Sequence, residues 1–288
     1  MRNYFHINRK PGEKKLTGII MALFFIGLCL IILLPLVSII LTSIKDSSLV
    51  IRNGFNLKID ASTFTLENFK YLFSNKEHNY FIWFGNSVFV TVVQTILTLF
   101  ISSWVGYGFA IYDFKGKNFL FICVLIVMMV PLELLMLPMY REIIAFKLNN
   151  KYLGIMLPFL ANPIAIFFFR QYLQSIPREI VDAGRIDGCN EYGIFLRLIL
   201  PIMKPAFAAM AIFVGMSCWN NFLWPLLVLT DSKMFTLPIG LTSLMGPYGN
   251  NYMLLISGAV ISVLPIMIIF FFAQKYFIEG MASGSVKG

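Results

Sequence analysis

Long apolar runs recur along the chain and alternate with shorter polar, charged segments. Each run is close to the length of about 20 residues that an α-helix needs to cross a bilayer. The runs lie at approximately residues 17–42, 84–107, 119–137, 152–169, 206–229 and 254–276. This pattern predicts an all-α membrane protein with six transmembrane helices.

The segment between the fourth and fifth runs is the most polar long stretch in the second half of the chain. Residues 170–204 carry five basic and four acidic side chains. Pro177 and Asp182 are typical of the first turns of a helix, where a missing N–H is tolerated and the helix dipole favours a carboxylate. Because Gly188 interrupts the pattern and residues 192–199 form a second apolar stretch, we expect a helix–turn–helix.

Two interpretations of this segment follow from the residues alone. In the first it is a solvated loop, with charges that pair at helical spacing, such as Arg178 with Asp182 and Asp182 with Arg185. In the second it is a docking helix, because Gly184 and Gly188 leave one face nearly bare for the close approach of another protein. The glycines favour docking, since each weakens a helix by about 1 kcal/mol relative to alanine.

Composition and charge agree with a membrane protein. The chain is 58% apolar and 13% charged, whereas soluble domains average about 25% charged residues. A net charge of +9 does not indicate nucleic acid, because the basic residues are spread over termini and loops. With the N-terminus inside, 14 of the 23 basic residues lie in the cytoplasmic segments. This distribution follows the positive-inside rule and places both termini and residues 170–204 in the cytoplasm.

No motif for catalysis or ATP binding is found in the sequence. Gly116 and Lys117 lack the upstream glycine and the following Ser or Thr of a phosphate-binding loop. The four cysteines are far apart, and neither a metal cluster nor a catalytic triad can be assembled. We therefore expect no catalytic residue, no metal and no cofactor in this chain.

Two intramembrane features carry polar chemistry. Glu133 lies in an apolar run between two prolines, which suggests a proton-coupling acid or, as we favour, an acid in water or paired with Arg141 beside a broken helix. The second feature combines aromatic rings with amides, a set that suits sugars but also serves helix contacts. Its members are Trp219, Asn220, Asn221 and Trp224.

Two loops outside the membrane have alternative roles. Residues 64–73 show helical spacing of apolar side chains and predict either a packing helix or a partner contact. Residues 246–252 are rich in Gly, Asn and Tyr and predict either a simple turn or a contact with another protein.

The polar segment also carries a family resemblance. Asp-Ala-Gly at 182–184, Gly188 and Leu-Pro at 200–201 resemble the EAA loop of ABC importer permeases, which reads Glu-Ala-Ala, three residues, Gly, and later Leu-Pro. Further matches in order are WNNFLWPL at 219–226, TLPIGL at 236–241 and GSVKG at 284–288. Together the motifs cover about two-thirds of the chain. They are similar to the carbohydrate branch, of the maltose-permease G-subunit type, and within it to arabino-oligosaccharide permease subunits.

The resemblance implies a type I ABC importer permease with a cytoplasmic coupling helix between spans 4 and 5. It implies a second, different permease subunit, a cytoplasmic ATPase dimer that binds ATP and Mg, and an extracellular sugar-binding protein as partners. The residues that would contact the ATPase are Glu179, Asp182, Ala183, Gly184, Asp187, Gly188 and Pro201, with Gly284, Lys287 and Gly288 in the tail. Because relatives hold the sugar mainly in the other permease subunit, we favour helix contacts and a wall of the translocation path for residues 219–224.

The resulting expectation is a permease subunit of a sugar importer in the bacterial cell membrane, moving oligosaccharides such as arabino-oligosaccharides. Residues 1–80 would form a cytoplasmic tail, the first span and an external loop. Residues 81–276 would form the permease core, and 277–288 a cytoplasmic tail. The alternative is a stand-alone secondary transporter of a neutral polar solute, which would not associate with an ATPase.

Overall fold

The computed structural model describes residues 11–46, 63–74, 79–246 and 249–285, which are almost entirely helical. The helices are α1 (Pro11–Ser43), α2 (Glu67–Ser74), α3 (Tyr80–Ile111), α4 (Lys117–Met129), α5 (Leu132–Ala145), α6 (Tyr152–Phe159), α7 (Pro163–Leu173), α8 (Glu179–Ile186), α9 (Glu191–Ile202), α10 (Lys204–Trp219), α11 (Leu223–Val228), α12 (Leu237–Ser243) and α13 (Tyr252–Ser285). A short antiparallel pair joins β1 (Met245–Gly246) to β2 (Gly249–Asn250).

Three of the described helices, α1, α3 and α13, are long and apolar enough to cross a membrane as single pieces. Three further pairs pass the same test only when both members are taken together. These pairs are α4 with α5, α6 with α7, and α9 with α10, bent by 105°, 43° and 80°. The predicted total of six spans is reached when each bent pair counts as one span.

Proline positions explain why three of the predicted spans are not continuous helices. The predicted run 152–169 is wrong as a single helix, because it breaks before Pro163, where Asn162 is extended. The run 119–137 is broken before Pro131, because the residue ahead of a proline is pushed out of the helical region and Val130 is extended. The predicted run 206–229 is also wrong as a single helix. Its first part ends at Trp219, and a new helix begins at Leu223 with Pro225 in its first turn, the position that a helix tolerates best.

One compact unit comprises Met1–Asn75 with Asn251–Val260. Within it α1 presents large apolar side chains that are mostly exposed, as suits a helix surrounded by lipid. The amide of Asn68 on α2 donates to the carbonyls of Ser43 and Lys45, both at 2.8 Å, and so satisfies acceptors at the end of α1. The segment 64–73 therefore serves as a packing helix.

The other unit comprises Lys76–Asn250 with Ile261–Gly288, and α3 is its central helix. Helices α7 and α10 pack along α3. A buried cluster at the C-terminal half of α3 joins it to α7, α9 and α10 through Tyr107, Phe169, Phe195 and Met203. A second cluster, nearer the start of α3, brings together Val90, Ile143, Ile155 and Trp224. The 170–204 loop is anchored on the first cluster.

Candidate functional site

The 170–204 loop contains the helix–turn–helix that the sequence predicts. Helix α8 ends where Gly188 adopts a positive φ of 77°. The Gly188 N–H donates to the Arg185 carbonyl at 3.1 Å, and the Cys189 N–H donates to the Gly184 carbonyl at 3.0 Å. These are the two bonds of a Schellman motif, whose left-handed residue is usually glycine. Gly188 therefore ends the first helix and turns the chain towards α9.

Gly184 faces the inside of the loop. It is buried, and a Cβ atom at this position would lie 2.7 Å from Leu198 Cδ1 and 3.1 Å from Ile194 Cγ1. The prediction that Gly184 belongs to a bare face open to another protein is wrong, because α9 already occupies the space above it. Gly184 instead lets α8 and α9 approach each other closely.

The opposite face of α8 is open. Glu179, Asp182, Ala183 and Ile186 are exposed and lie at i, i+3, i+4 and i+7, so they share one helix face. Ile186 is 87% exposed, and the exposed Asp187 follows it. We call Glu179, Asp182, Ala183 and Ile186 the outward face of α8. Ile186 is thus a single apolar side chain on an otherwise charged or small-residue face of α8.

A polar network connects the loop to the end of α3. Arg185 donates from Nε to Glu191 Oε1 at 2.9 Å and from Nη1 to Asp182 Oδ1 at 3.3 Å. Tyr112, which directly follows α3, donates its hydroxyl to Glu191 Oε2 at 2.6 Å. The predicted Asp182–Arg185 pair is thus confirmed. The predicted pair between Arg178 and Asp182 is wrong, since no such ion pair forms in the described part of the chain.

The network holds its members in the protonation states that it requires. The hydrogen bond to Glu191 raises the pKa of Arg185, so the guanidinium stays charged. Burial, followed by the hydrogen bond to Glu191, raises the pKa of Tyr112, so its hydroxyl stays a donor. Sequence reasoning missed Glu191 and Tyr112, because it considered charge pairs only at helical spacing. An acid in the first turn of the second helix was the available signal for Glu191.

Pro201 lies where the loop returns towards α10. Asn190 caps the start of α9 by accepting the Gly193 N–H at 2.7 Å. Residues 194–199 then wind as a π-helix, ahead of a proline that has no N–H to donate. Pro201 is exposed in the turn before the 80° bend between α9 and α10. Its contact with an ATPase stays a prediction.

The predicted tail residues are only partly described. Gly284 lies in the last turn of α13, which continues as a helix through Ser285. Lys287 and Gly288 lie outside the described residues. The role of this tail as an ATPase contact stays a prediction, and so do the predicted domain boundaries.

A cavity of about 420 Å³ with a mixed polar and apolar lining lies among α3, α5, the end of α6, the residue before α7, α10 and the segment from α10 into α11. Its polar lining consists of Gln94, Glu133, Asn162, Ser217, Asn220 and Asn221. Phe159 and Phe222 add aromatic rings, and Leu132, Met136, Val214 and Leu223 add apolar surface. A volume of this size is within the range of about 300–1,000 Å³ that small-molecule sites occupy.

The four predicted path residues separate into two kinds. Asn220 and Asn221 line the cavity, whereas neither Trp219 nor Trp224 is among its lining residues. The Trp219 indole donates to the Ser262 carbonyl and the Trp224 indole to the Gly154 carbonyl, both at 3.2 Å. Both tryptophans are buried, and Trp224 has no exposed surface. The indoles are therefore helix contacts, and the amides are the members that face open space.

Glu133 is an exposed acid in the first turn of α5 and lines the cavity. The sequence correctly predicts a helix break beside it. Of the two arrangements left open for Glu133, the ion pair with Arg141 does not form in the described part of the chain, and the exposed carboxylate fits the other, an acid in water. Within the described ranges, no three His, Cys, Asp or Glu side chains are grouped so that they could hold a metal ion.

The sequence profile of the family described as "Binding-protein-dependent transport system inner membrane component" matches residues 103–283. The chain is 52% identical to the arabinooligosaccharides transport system permease protein AraQ of Bacillus subtilis, over 97% of this chain and 99% of that protein. It is 34% identical to the lactose transport system permease protein LacG of Rhizobium radiobacter, over 88% and 90% of the two chains.

A solved structure resembles the fold as well. The crystal structure of a bacterial ABC transporter involved in the import of the acidic polysaccharide alginate contains a chain that superposes with a TM-score of 0.81. The match covers 96% of this chain and 100% of that chain at 20% sequence identity. The overall fold is therefore shared with a chain of that transporter.

Proposed function

Because the chain belongs to the family of binding-protein-dependent transport system inner membrane components, we propose that it is a permease subunit of an ATP-driven importer of arabino-oligosaccharides. The observation that carries the substrate class is its 52% identity to a permease of that name along nearly the whole chain. The neutral amides and aromatic rings of the cavity suit such a sugar.

ATP is hydrolysed by a separate cytoplasmic ATPase dimer, which binds ATP and Mg. The outward face of α8 is its docking surface, with Ile186 as the apolar contact and Glu179 and Asp182 beside it. Gly184 lies on the opposite, inward face of α8 and lets α9 pack closely against that helix. The polar network through Glu191 links the docked helix to the end of α3.

The remaining partners complete an importer. A second, different permease subunit forms the other half of the translocation path, and an extracellular sugar-binding protein delivers the sugar. Residues 246–252 are the proposed contact for that protein on the outside. Both termini and the 170–204 loop lie in the cytoplasm, in agreement with the distribution of basic residues.

Co-purification tests the proposal against the alternative of a stand-alone secondary transporter. Tagged chain extracted from its native membrane in mild detergent should bring an ATPase and a second permease with it. The chain separated from its partners should hydrolyse no ATP above background. Recovery of the chain alone, in a state that still transports sugar, would contradict the proposal.

A further inference from the structure

Three interruptions of the membrane helices border the same cavity. The first is the break between α4 and α5, next to Leu132 and Glu133, and the second is the break between α6 and α7, at Asn162. The third is the break between α10 and α11, at Asn220 to Phe222. Irregular backbone at membrane depth is tolerated only where it is buried in protein or lines a water-filled cavity. The convergence of three breaks on one space indicates that this space is kept open.

Several polar groups in the cavity have unused hydrogen-bonding capacity. Gln94 is only 6% exposed, and its Oε1 accepts from Cys218 Sγ at 3.4 Å. Within the described ranges, no partner is found for the Gln94 side-chain nitrogen, the Asn221 side-chain amide or the Glu133 carboxylate. The Gln94 amide nitrogen keeps accessible surface and so opens onto the cavity, as do the half-buried Asn221 and the exposed Glu133. These groups therefore point to a ligand that supplies both donors and acceptors.

The chemistry of the lining selects the class of ligand. Amides and a carboxylate bind hydroxyl groups, while the rings of Phe159 and Phe222 offer flat apolar surface to the C–H face of a sugar. Glu133 is the single charged residue in the lining, and it is negative. It accepts hydrogen bonds from hydroxyl groups and repels a carboxylate. A neutral saccharide fits this lining, and an acidic one does not.

We propose that this cavity is a saccharide subsite that this chain itself contributes to the translocation path, with Glu133, Asn221 and Gln94 as its hydrogen-bonding residues. The inference rests on the proposed function of the chain as an importer subunit. It differs from the expectation that the partner permease alone holds the sugar. Trp219 and Trp224 have no part in the subsite, because their indoles are bonded to backbone carbonyls elsewhere.

The test uses the intact importer, with its second permease, ATPase and binding protein, in proteoliposomes. Labelled arabinotriose taken up and phosphate released are measured together, and their ratio is the readout. Glu133→Gln and Asn221→Ala should each lower the uptake per ATP hydrolysed by about tenfold, the effect of losing one hydrogen bond to the sugar. A purely structural role would reduce uptake and hydrolysis together and leave the ratio unchanged.

Matched controls come from the same part of the chain. Glu142→Gln removes another exposed acid from α5, and Asn149→Ala removes another exposed asparagine amide, but neither residue lines the cavity. Both controls should keep the wild-type ratio. An unchanged ratio in Glu133→Gln and Asn221→Ala would overturn the subsite alone. Failure of the wild-type importer to take up any neutral oligosaccharide would instead overturn the proposed function, and the subsite with it.

Discussion

Gly184 and Gly188 lie four residues apart and perform different tasks. Gly188 supplies the positive φ that ends α8, and no atom lies near enough to clash with an added Cβ. Gly184 supplies a close contact, because Leu198 and Ile194 lie against its backbone. Spacing places the two glycines on one helix face, but it does not say which face meets the rest of the protein. Because α9 covers the side of α8 that carries Gly184, that side is the inward face.

The packing of Gly184 against α9 can be tested by introducing a larger side chain at this position. Gly184→Leu forces a side chain into Leu198 and Ile194, and such overpacking typically costs about 1–3 kcal/mol. The 170–204 loop should then open and become more sensitive to limited proteolysis in purified complex. Arg197→Leu places the same side chain at an exposed position of α9, outside the outward face of α8, and should leave the loop resistant. Equal sensitivity of the two variants would contradict the packing described for Gly184.

Ile186 is the large apolar residue on the outward face of α8, and it is exposed. Its replacement tests whether this face binds the ATPase. Burying a large aliphatic side chain contributes about 1.5–3 kcal/mol, so Ile186→Asp should weaken ATPase binding by tenfold or more. The measurement is the amount of ATPase that co-purifies with the tagged chain at a fixed detergent concentration. Arg197→Ala, an exposed change on α9, is the control and should retain the ATPase. Full retention in Ile186→Asp would show that the outward face of α8 is not the docking surface.

At the scale of elements, the hydrogen bond between Tyr112 and Glu191 ties the end of α3 to the start of α9. A double-mutant cycle of Tyr112→Phe with Glu191→Gln should give a coupling of about 0.5–1 kcal/mol, reduced from that of a buried bond because both side chains are partly solvated. It is measured by unfolding in mixed detergent micelles. Tyr192→Phe removes an exposed hydroxyl nearby and should combine additively with Glu191→Gln. Additivity in the Tyr112 cycle would remove the proposed link.

The positions of the membrane segments and of the helix–turn–helix follow from the sequence, because apolar length and turn residues are local signals. The bends are harder to predict. Hydropathy counts the residues from 206 to 229 as one run, but the chain breaks after Trp219 and a new helix begins at Leu223 with Pro225 in its first turn. Pro131 marks its break clearly, whereas Pro138 lies within α5 without ending it. The tertiary surroundings decide which proline interrupts a helix.

The residues that line the candidate cavity are also hard to predict from local sequence. Adjacent residues 219–221 suggest one functional group, yet the indole of Trp219 is bonded to Ser262 while the amide of Asn221 faces open space. Gln94, which lies more than a hundred residues earlier in the chain, shares that space. No local pattern joins α3 to the break after α10. Their meeting depends on how α10 packs along α3.

At the scale of the whole molecule, the chain is a transport subunit with no phosphate-binding loop in its sequence and a short helix, α8, that carries an exposed apolar residue. Its broken helices border a cavity with a mixed polar and apolar lining. An importer built from such a chain needs an ATPase to supply energy and a binding protein to supply the sugar. Dependence of transport on these two partners is therefore the central claim.

The most direct test is the uptake of labelled arabinotriose into proteoliposomes that contain this chain and its second permease. We expect uptake only when the ATPase is present with ATP on its side of the membrane and the binding protein is present on the opposite side. A proton or sodium gradient should not replace ATP. Gradient-driven uptake by this chain in the absence of the ATPase would contradict the account and identify a secondary transporter.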